Sequence, residues 1–240
     1  MAMRTDATGR ISRRGALRAA GTGLLAAWLG GCAARVPTGP SAPALAPPVD
    51  PQATATPDLV DLARFDPRLR FDIRYATPAN FMGRVLYPLP RAVAQRPVAG
   101  ALARVQTRAE AAGYGLLVFD AYRPWRITRM MWDQTPPDKR EFVADPRTGS
   151  RHNRGCSIDL SLHRDGVEVT MPSPYDDFTP AAYRSNTAAP PEALRLSRML
   201  EEWMVAEGFV PLPNEWWHYD WAEWRRYPVM DVPLEEVTAG

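Results

Sequence analysis

Pro37, Pro40, Pro43, Pro47, Pro48, Pro51 and Pro57 stand close together among Ala, Ser, Thr and Gly, with almost no large apolar residue between them. Each proline fixes φ and removes a backbone donor. A stretch of this composition cannot bury enough surface to offset its ordering entropy. Residues 32–57 therefore read as a semi-extended tether, and the fold has to be built from residues 58–240, with a core ending near Pro233. That leaves about 175 residues, enough for one sizeable core.

Ahead of the tether, Arg4, Arg10, Arg13, Arg14 and Arg18 precede a short apolar run, Ala19 to Leu29, which ends in Gly30, Gly31 and Cys32. This charged, apolar, small-residue order is that of a secretory signal, so residues 1–31 are expected to be an export signal. The apolar run is too short to span about 30 Å of hydrocarbon as a helix rising roughly 1.5 Å per residue. Ser12 to Arg18 resembles a twin-arginine motif and Leu29-Gly30-Gly31-Cys32 a bacterial lipobox, which implies a lipid on Cys32 and a membrane anchor. A plain secretory signal with an incidental Cys32 is the alternative. With Ala33 after the cysteine, the lipoprotein rule points to the outer membrane, facing the periplasm.

The formal charge of +2 comes from 29 basic and 27 acidic residues, and removing residues 1–31 takes away five arginines and one aspartate, leaving 24 and 26, or −2. Lys139 is the only lysine, so no Lys-rich run exists to track phosphates, and nucleic acid is not an expected partner. Two cysteines, Cys32 and Cys156, build neither a disulfide framework nor a thiolate zinc site. Any metal has to be held by His and carboxylate.

Periodicity then gives the elements. Arg70 to Tyr75 alternates as a half-buried strand. Val98, Leu102, Val105 and Ala109 mark a helix that starts at Pro97 and stops at Gly113. Gly115 to Phe119 is a buried strand, Trp125 to Trp132 a helix, and Gln134 to Gly149 a polar loop. Ser157 to Leu162 and Val167 to Thr170 form a hairpin about Arg164-Asp165-Gly166. A helix with Leu196, Met199, Leu200, Trp203 and Met204 on one face ends at Gly208, and a last strand covers Trp216 to Trp221. The fold class expected is α+β, a central antiparallel sheet flanked by helices.

Two of the three histidines lie in the most loaded segments, Ser150 to Asp159 and Glu215 to His218. Imidazole and carboxylate suit zinc, and a catalytic zinc site keeps three protein ligands and one open position. His152, Asp159 and His218 are the candidate ligands, with Gly155 allowing the tight turn between the first two. Glu215, if its segment is extended with some twist, reaches the attacking water as a general base. The competing reading is an aromatic core strand with polar edges. His163 has no such context and reads as a surface or edge residue.

The set Ser-x-His-x-x-Gly-x-x-x-Asp, here Ser150 to Asp159, followed by Glu-x-Trp-His, here Glu215 to His218, resembles the zinc D,D-peptidases. Arg74 to Gly83, Asp120-Ala121-Tyr122-Arg123-Pro124 and Met171 to Phe178 resemble segments of their D-alanyl-D-alanine dipeptidase branch (peptidase family M15). The resemblance implies the zinc D,D-peptidase (hedgehog-like) fold, one Zn2+ on His152, Asp159 and His218, Glu215 as catalytic base and Arg123 as transition-state stabiliser. It also implies that Asp176 and Ser150 hold the dipeptide's ammonium and backbone, with Tyr75 lining the same pocket. An ion pair with Asp120 is the alternative for Arg123, and Asp177 leaves the ammonium ligand ambiguous by one position. The expected activity is hydrolysis of D-Ala-D-Ala. The rivals are a D,D-carboxypeptidase trimming peptidoglycan stem peptides and a non-catalytic cell-wall-binding lipoprotein.

Overall fold

The computed structural model describes residues 46–238. The expected export signal and Cys32 lie outside the described residues. In chain order the elements are β1 (Leu59–Asp61), α1 (Leu62–Phe65), β2 (Arg70–Phe71), β3 (Val93–Gln95), α2 (Arg96–Ala111), β4 (Gly115–Asp120) and α3 (Trp125–Gln134). Then follow β5 (Ser157–Arg164), β6 (Val167–Glu168), α4 (Pro191–Ala206), β7 (Phe209–Pro211) and β8 (His218–Trp221). The main sheet runs β2-β4-β5-β8-β7 with β6 paired to β5, and β1 pairs with β3 in a separate ribbon. Every pairing in the main sheet is antiparallel except β2 with β4, which is parallel.

Local sequence accounts for most of this. Helix α2 has a proline in its first turn and buries Val98, Leu102, Val105 and Ala109, the spacing of one helical face. Beyond its end Gly113 takes φ +78, a conformation that costs glycine little. Helices α2 and α4 touch each other while α2 packs on β4 and α4 on β5 and β7, covering the sheet. In β5, Ile158, Leu160 and Leu162 share one side of the strand and Ser157, Asp159 and Ser161 the other. Asp159 is thus delivered by strand alternation to a fixed place beside β8.

Strand β4 is irregular near its C-terminal end. Val118 pairs with Leu160 but Asp120 with Asp159, so β4 carries one extra residue at Phe119. A bulge of this kind re-aims the side chains beyond it. Here it sets Asp120 opposite Asp159.

Several expectations need correction. The strand foreseen over Arg70 to Tyr75 stops at Phe71, and Arg74–Ala76 is a 3-10 turn, because the Tyr75 carbonyl turns inward to accept from both Leu86 and Tyr87 N–H. The last strand begins at His218 rather than Trp216, since the chain turns over residues 213–217. The hairpin partner after Gly166 spans only Val167–Glu168. The polar loop contains a 3-10 segment, Pro137–Phe142, whose Phe142 is buried. The end of the foreseen tether, from Ala46 onward, lies along the domain: Ala55 N–H donates to the Arg226 carbonyl at 2.8 Å.

Candidate active site

Three ligand-type atoms converge at the meeting point of β5, β8 and the 3-10 turn His152–Arg154. His152 Nε2 and His218 Nδ1 are 3.2 Å apart, His218 Nδ1 is 2.9 Å from Asp159 Oδ1, and His152 Nε2 is 3.3 Å from the same oxygen. Their outward nitrogens are committed elsewhere. His152 Nδ1 lies 2.6 Å from the Ala121 carbonyl, which can only accept, so this nitrogen carries the proton. His218 Nε2 donates to Asp220 Oδ1 at 2.9 Å, and Asp220 Oδ1 also accepts from Ser157 Oγ at 2.6 Å.

Two imidazoles whose protons point outward therefore present lone pairs to a carboxylate in a buried centre. Such a cluster needs a cation. Burial works against a charged His218, yet the carboxylates of Asp220 and Asp159 hold its pKa well above the usual histidine value. Burial likewise opposes ionisation of Asp159, but His152 and His218 keep its carboxyl far below the ordinary range. A metal ion would take the place of the proton that this centre otherwise attracts. The donor triangle, with edges of 2.9 to 3.3 Å, fits the roughly 3.3 Å edge of a tetrahedron with metal–ligand distances of about 2.0 to 2.1 Å. Among the described residues, His152, Asp159 and His218 form the one such ligand group.

Glu215 stands beside this triangle. It sits in the turn before β8, not in an extended segment, and the turn brings its Oε2 to 3.8 Å from His218 Nδ1. Burial pushes its pKa up to about 7; Asp159 and Asp220 reinforce the shift, and His218 and Arg123 counter it.

Arg123 forms the ion pair with Asp120 and also lines the cavity. Its Nε and Nη2 donate to Asp120 Oδ2 at 3.0 and 2.7 Å, while Nη2 remains 3.9 Å from Asp159 Oδ2 and the side chain lines the same cavity as Glu215. Asp120 is held in turn by Tyr87 Oη, 2.8 Å from its Oδ1. The buried guanidinium thus stays charged, held by its Asp120 counterion.

The cavity has a volume of about 160 Å³, below the roughly 300 to 1,000 Å³ of pockets that take drug-sized ligands. Asp176, not Asp177, lines it. Asp176 has φ +60, its Oδ1 accepts from Tyr75 Oη at 3.0 Å, and its buried Oδ2 has no protein partner. Burial and then the nearby Asp159 raise its pKa well above the usual value, against the pull of Arg123 and Tyr75. A buried carboxylate of this kind favours a cationic ligand group. Ser150 also lines the cavity, its Oγ accepting from His152 N–H at 3.2 Å. Phe142 stacks on Phe178 at 5.0 Å, and Phe178 meets Phe81 at 4.7 Å. Lys139 Nζ ties this aromatic group down by donating to the Phe178 carbonyl at 2.8 Å.

Two supporting residues escape a reading of the sequence alone. Asp120 is visible there only as a partner for Arg123, not as the pivot it is. Asp220 carries a usable signal, because a residue two places after His218 on a strand shares its face. The remaining histidine, His163, lies on β5 opposite Gly115, away from the cavity, and Cys156 is buried as a free thiol.

The family described as D-ala-D-ala dipeptidase, Peptidase M15, matches residues 55–232. The D-alanyl-D-alanine dipeptidase of Escherichia coli (strain K12) is 34% identical over 176 residues, covering 73% of this chain and 90% of that one. Those of Streptomyces coelicolor and Enterococcus faecium are 33% and 31% identical, each over 171 residues and over 63% of this chain and 85% of theirs. Among solved structures, a point mutant of the vancomycin-resistance D,D-pentapeptidase VanY in complex with Zn(II) aligns with a TM-score of 0.37 and 20% identity, over 55% of this chain and 74% of that chain. That likeness is too distant to carry an inference about the site. On the family match and the identity to its relatives, this chain belongs to the M15 D-Ala-D-Ala dipeptidase family of peptidases.

Proposed function

We propose that this protein is a zinc dipeptidase that hydrolyses D-Ala-D-Ala. The observation that carries the reading is the convergence of three buried lone-pair donors beside a buried carboxylate and a buried guanidinium in one small cavity. The family and the names of the relatives support the substrate. His152, Asp159 and His218 hold the metal, and zinc, when bound there, supplies Lewis acidity toward the scissile carbonyl and the attacking water.

The protein's own groups do the rest. Glu215 takes the proton of the attacking water, as its environment keeps it a stronger base than an ordinary carboxylate. The water's oxygen bonds to the carbonyl carbon first, which moves negative charge onto the carbonyl oxygen; the C–N bond then breaks as that charge returns and Glu215 hands its proton to the departing amine. Arg123, steadied by Asp120, faces the negative charge that develops on the carbonyl oxygen; one such donor is typically worth about 3 kcal/mol. Asp176 meets the free ammonium of the dipeptide, with Tyr75 and Ser150 beside it. An acylated N-terminus would leave that carboxylate without its partner, so free dipeptides are preferred.

Export and a lipid anchor on Cys32, with the domain in the periplasm and the outer membrane as its address, belong to the same proposal. Their support is the arginine-rich, apolar, Gly-Gly-Cys order of the first residues. Replacing Cys32 with Ala should release the protein from the membrane fraction.

The substrate is tested by following D-Ala release from free and from N-acetylated D-Ala-D-Ala, with and without a chelator. Chelator-sensitive cleavage of the free dipeptide alone is expected. Preferred cleavage of the acylated form would favour a carboxypeptidase, and no cleavage of either would favour a binding protein.

A further inference from the structure

Arg154 belongs to the turn that presents His152, and it is only 3% exposed. Its Nη1 donates to the Tyr227 carbonyl, and its guanidinium lies 4.9 Å from the centre of the Trp224 ring. A buried guanidinium needs a carboxylate. Among the described residues, the carboxylate within ion-pair distance is Asp50, whose Oδ2 is 3.0 Å from Arg154 Nη2. Asp50 comes from the end of the proline-rich segment, and it precedes the family match, which begins at residue 55.

The contact is part of a wider grip. Asp50 is set by its own turn, its Oδ1 accepting from Gln52 N–H at 2.9 Å and its carbonyl from Ala53 N–H at 3.0 Å. Further along, Asp58 N–H donates to Gln95 Oε1 at 2.8 Å. Gln95 passes the connection on, donating from Nε2 to the Arg154 carbonyl at 2.8 Å and from its backbone N–H to the Gly155 carbonyl at 2.9 Å. The same short stretch of chain thus holds Arg154 at both ends, directly at its guanidinium and through Gln95 at its backbone.

We propose that residues 46–58 are a strap over the domain and that Asp50 is a positioning residue for the metal site, acting through Arg154 on the turn that aims His152. Without Asp50 the Arg154 guanidinium loses its counterion while still buried, and relief comes by drawing the side chain toward water. That movement tilts the turn His152–Arg154 and spoils the donor triangle. The inference rests on the proposed function only in taking His152, Asp159 and His218 as the metal ligands.

The test uses the full chain and measures zinc affinity by chelator competition, alongside thermal melting of the zinc-free protein. Asp50→Asn should weaken zinc binding several-fold, less than the roughly 10-fold to 100-fold that loss of a direct outer partner of a metal ligand costs, because Asp50 acts one step further out through Arg154. Asp50→Glu should restore most of it. In an Arg154→Met background, Asp50→Asn should add no further loss, as expected of residues acting as one unit. Asp58→Asn, which removes the exposed pair with Arg96 from the same segment, should leave zinc affinity unchanged. At saturating zinc, turnover by Asp50→Asn should recover toward wild type.

Wild-type zinc affinity in Asp50→Asn, or losses that simply add in the double variant, would overturn the proposal. An equal loss in Asp58→Asn would do the same, since it would reveal general loosening of the segment. A wild-type chain that binds zinc yet leaves D-Ala-D-Ala intact removes the proposed substrate and leaves the strap to the affinity data. A wild-type chain that binds no zinc removes both.

Discussion

Asp220 shows how far a single side chain outside the ligand set shapes this site. It accepts the outward proton of His218 and is itself held by Ser157. Asp220→Asn should therefore weaken zinc binding roughly 10-fold to 100-fold while leaving the fold in place, a loss measurable by chelator competition. Cys156 makes the opposite prediction. It is fully buried, and burial raises its pKa, so at neutral pH the thiol is neither ionised nor accessible. Iodoacetamide should label Cys156 only after denaturation; rapid labelling of the native protein would contradict the placement. At this scale the cluster of His152, Asp159 and His218 and the carboxylate of Glu215 beside it were legible, because the chain has only three histidines and two of them fall in segments rich in carboxylates. Asp120 was not, since aspartates are common and their meaning depends on which hydrogen-bonding group the fold sets opposite them, and Asp220 could be found only through its place two residues after His218 on one strand.

Among the elements, the turn between His152 and β5 is the most exacting. Gly155 has φ +66, and a Cβ there would stand 2.6 Å from Leu59 Cδ2 and 3.3 Å from the Gln95 backbone nitrogen. Gly155→Ala combines a disfavoured conformation with a clash, so it should cost at least about 1 kcal/mol, read from urea denaturation as a lower midpoint. Helices α2, α3 and α4 and the two long central strands, β4 and β5, were legible from the sequence, because each has one apolar face or is wholly buried; the four-residue α1 is too short to show a period. The failures share a cause. RFDIRY alternates like a strand throughout, but the tertiary bonds of the Tyr75 carbonyl end the strand at Phe71. The segment before His218 has strand-like composition, yet it turns, and that turn is what places Glu215. The β-bulge at Phe119 leaves no mark on the sequence, because an extra residue in a continuously apolar run disturbs no pattern.

For the molecule as a whole, ion pairs tie together segments distant in sequence, and their response to acid follows from their charges. Glu207, at the end of α4, is bound by Arg104 and Arg108 of α2, and the hydrogen bond from Arg104 leads in holding its pKa below the usual 4.5. A carboxyl depressed in the folded state adds stability above its unfolded pKa and loses it as pH falls through the folded value. The melting temperature should accordingly drop as pH is lowered below about 4.5, and Glu207→Gln should flatten that part of the profile. At this scale composition marks the proline-rich segment but does not reveal that Asp50 within it meets a buried arginine. Nor does the whole-chain charge of +2 describe residues 32–240, since residues 1–31 carry five arginines against one aspartate. The central claim is that Glu215 works as the base beside a metal held by His152, Asp159 and His218. The most direct measurement is D-Ala release from D-Ala-D-Ala by wild type and Glu215→Gln, each brought to one zinc per chain. A fall in kcat of about 10²-fold to 10⁴-fold at equal zinc content is the expected result; undiminished turnover by Glu215→Gln would contradict the account.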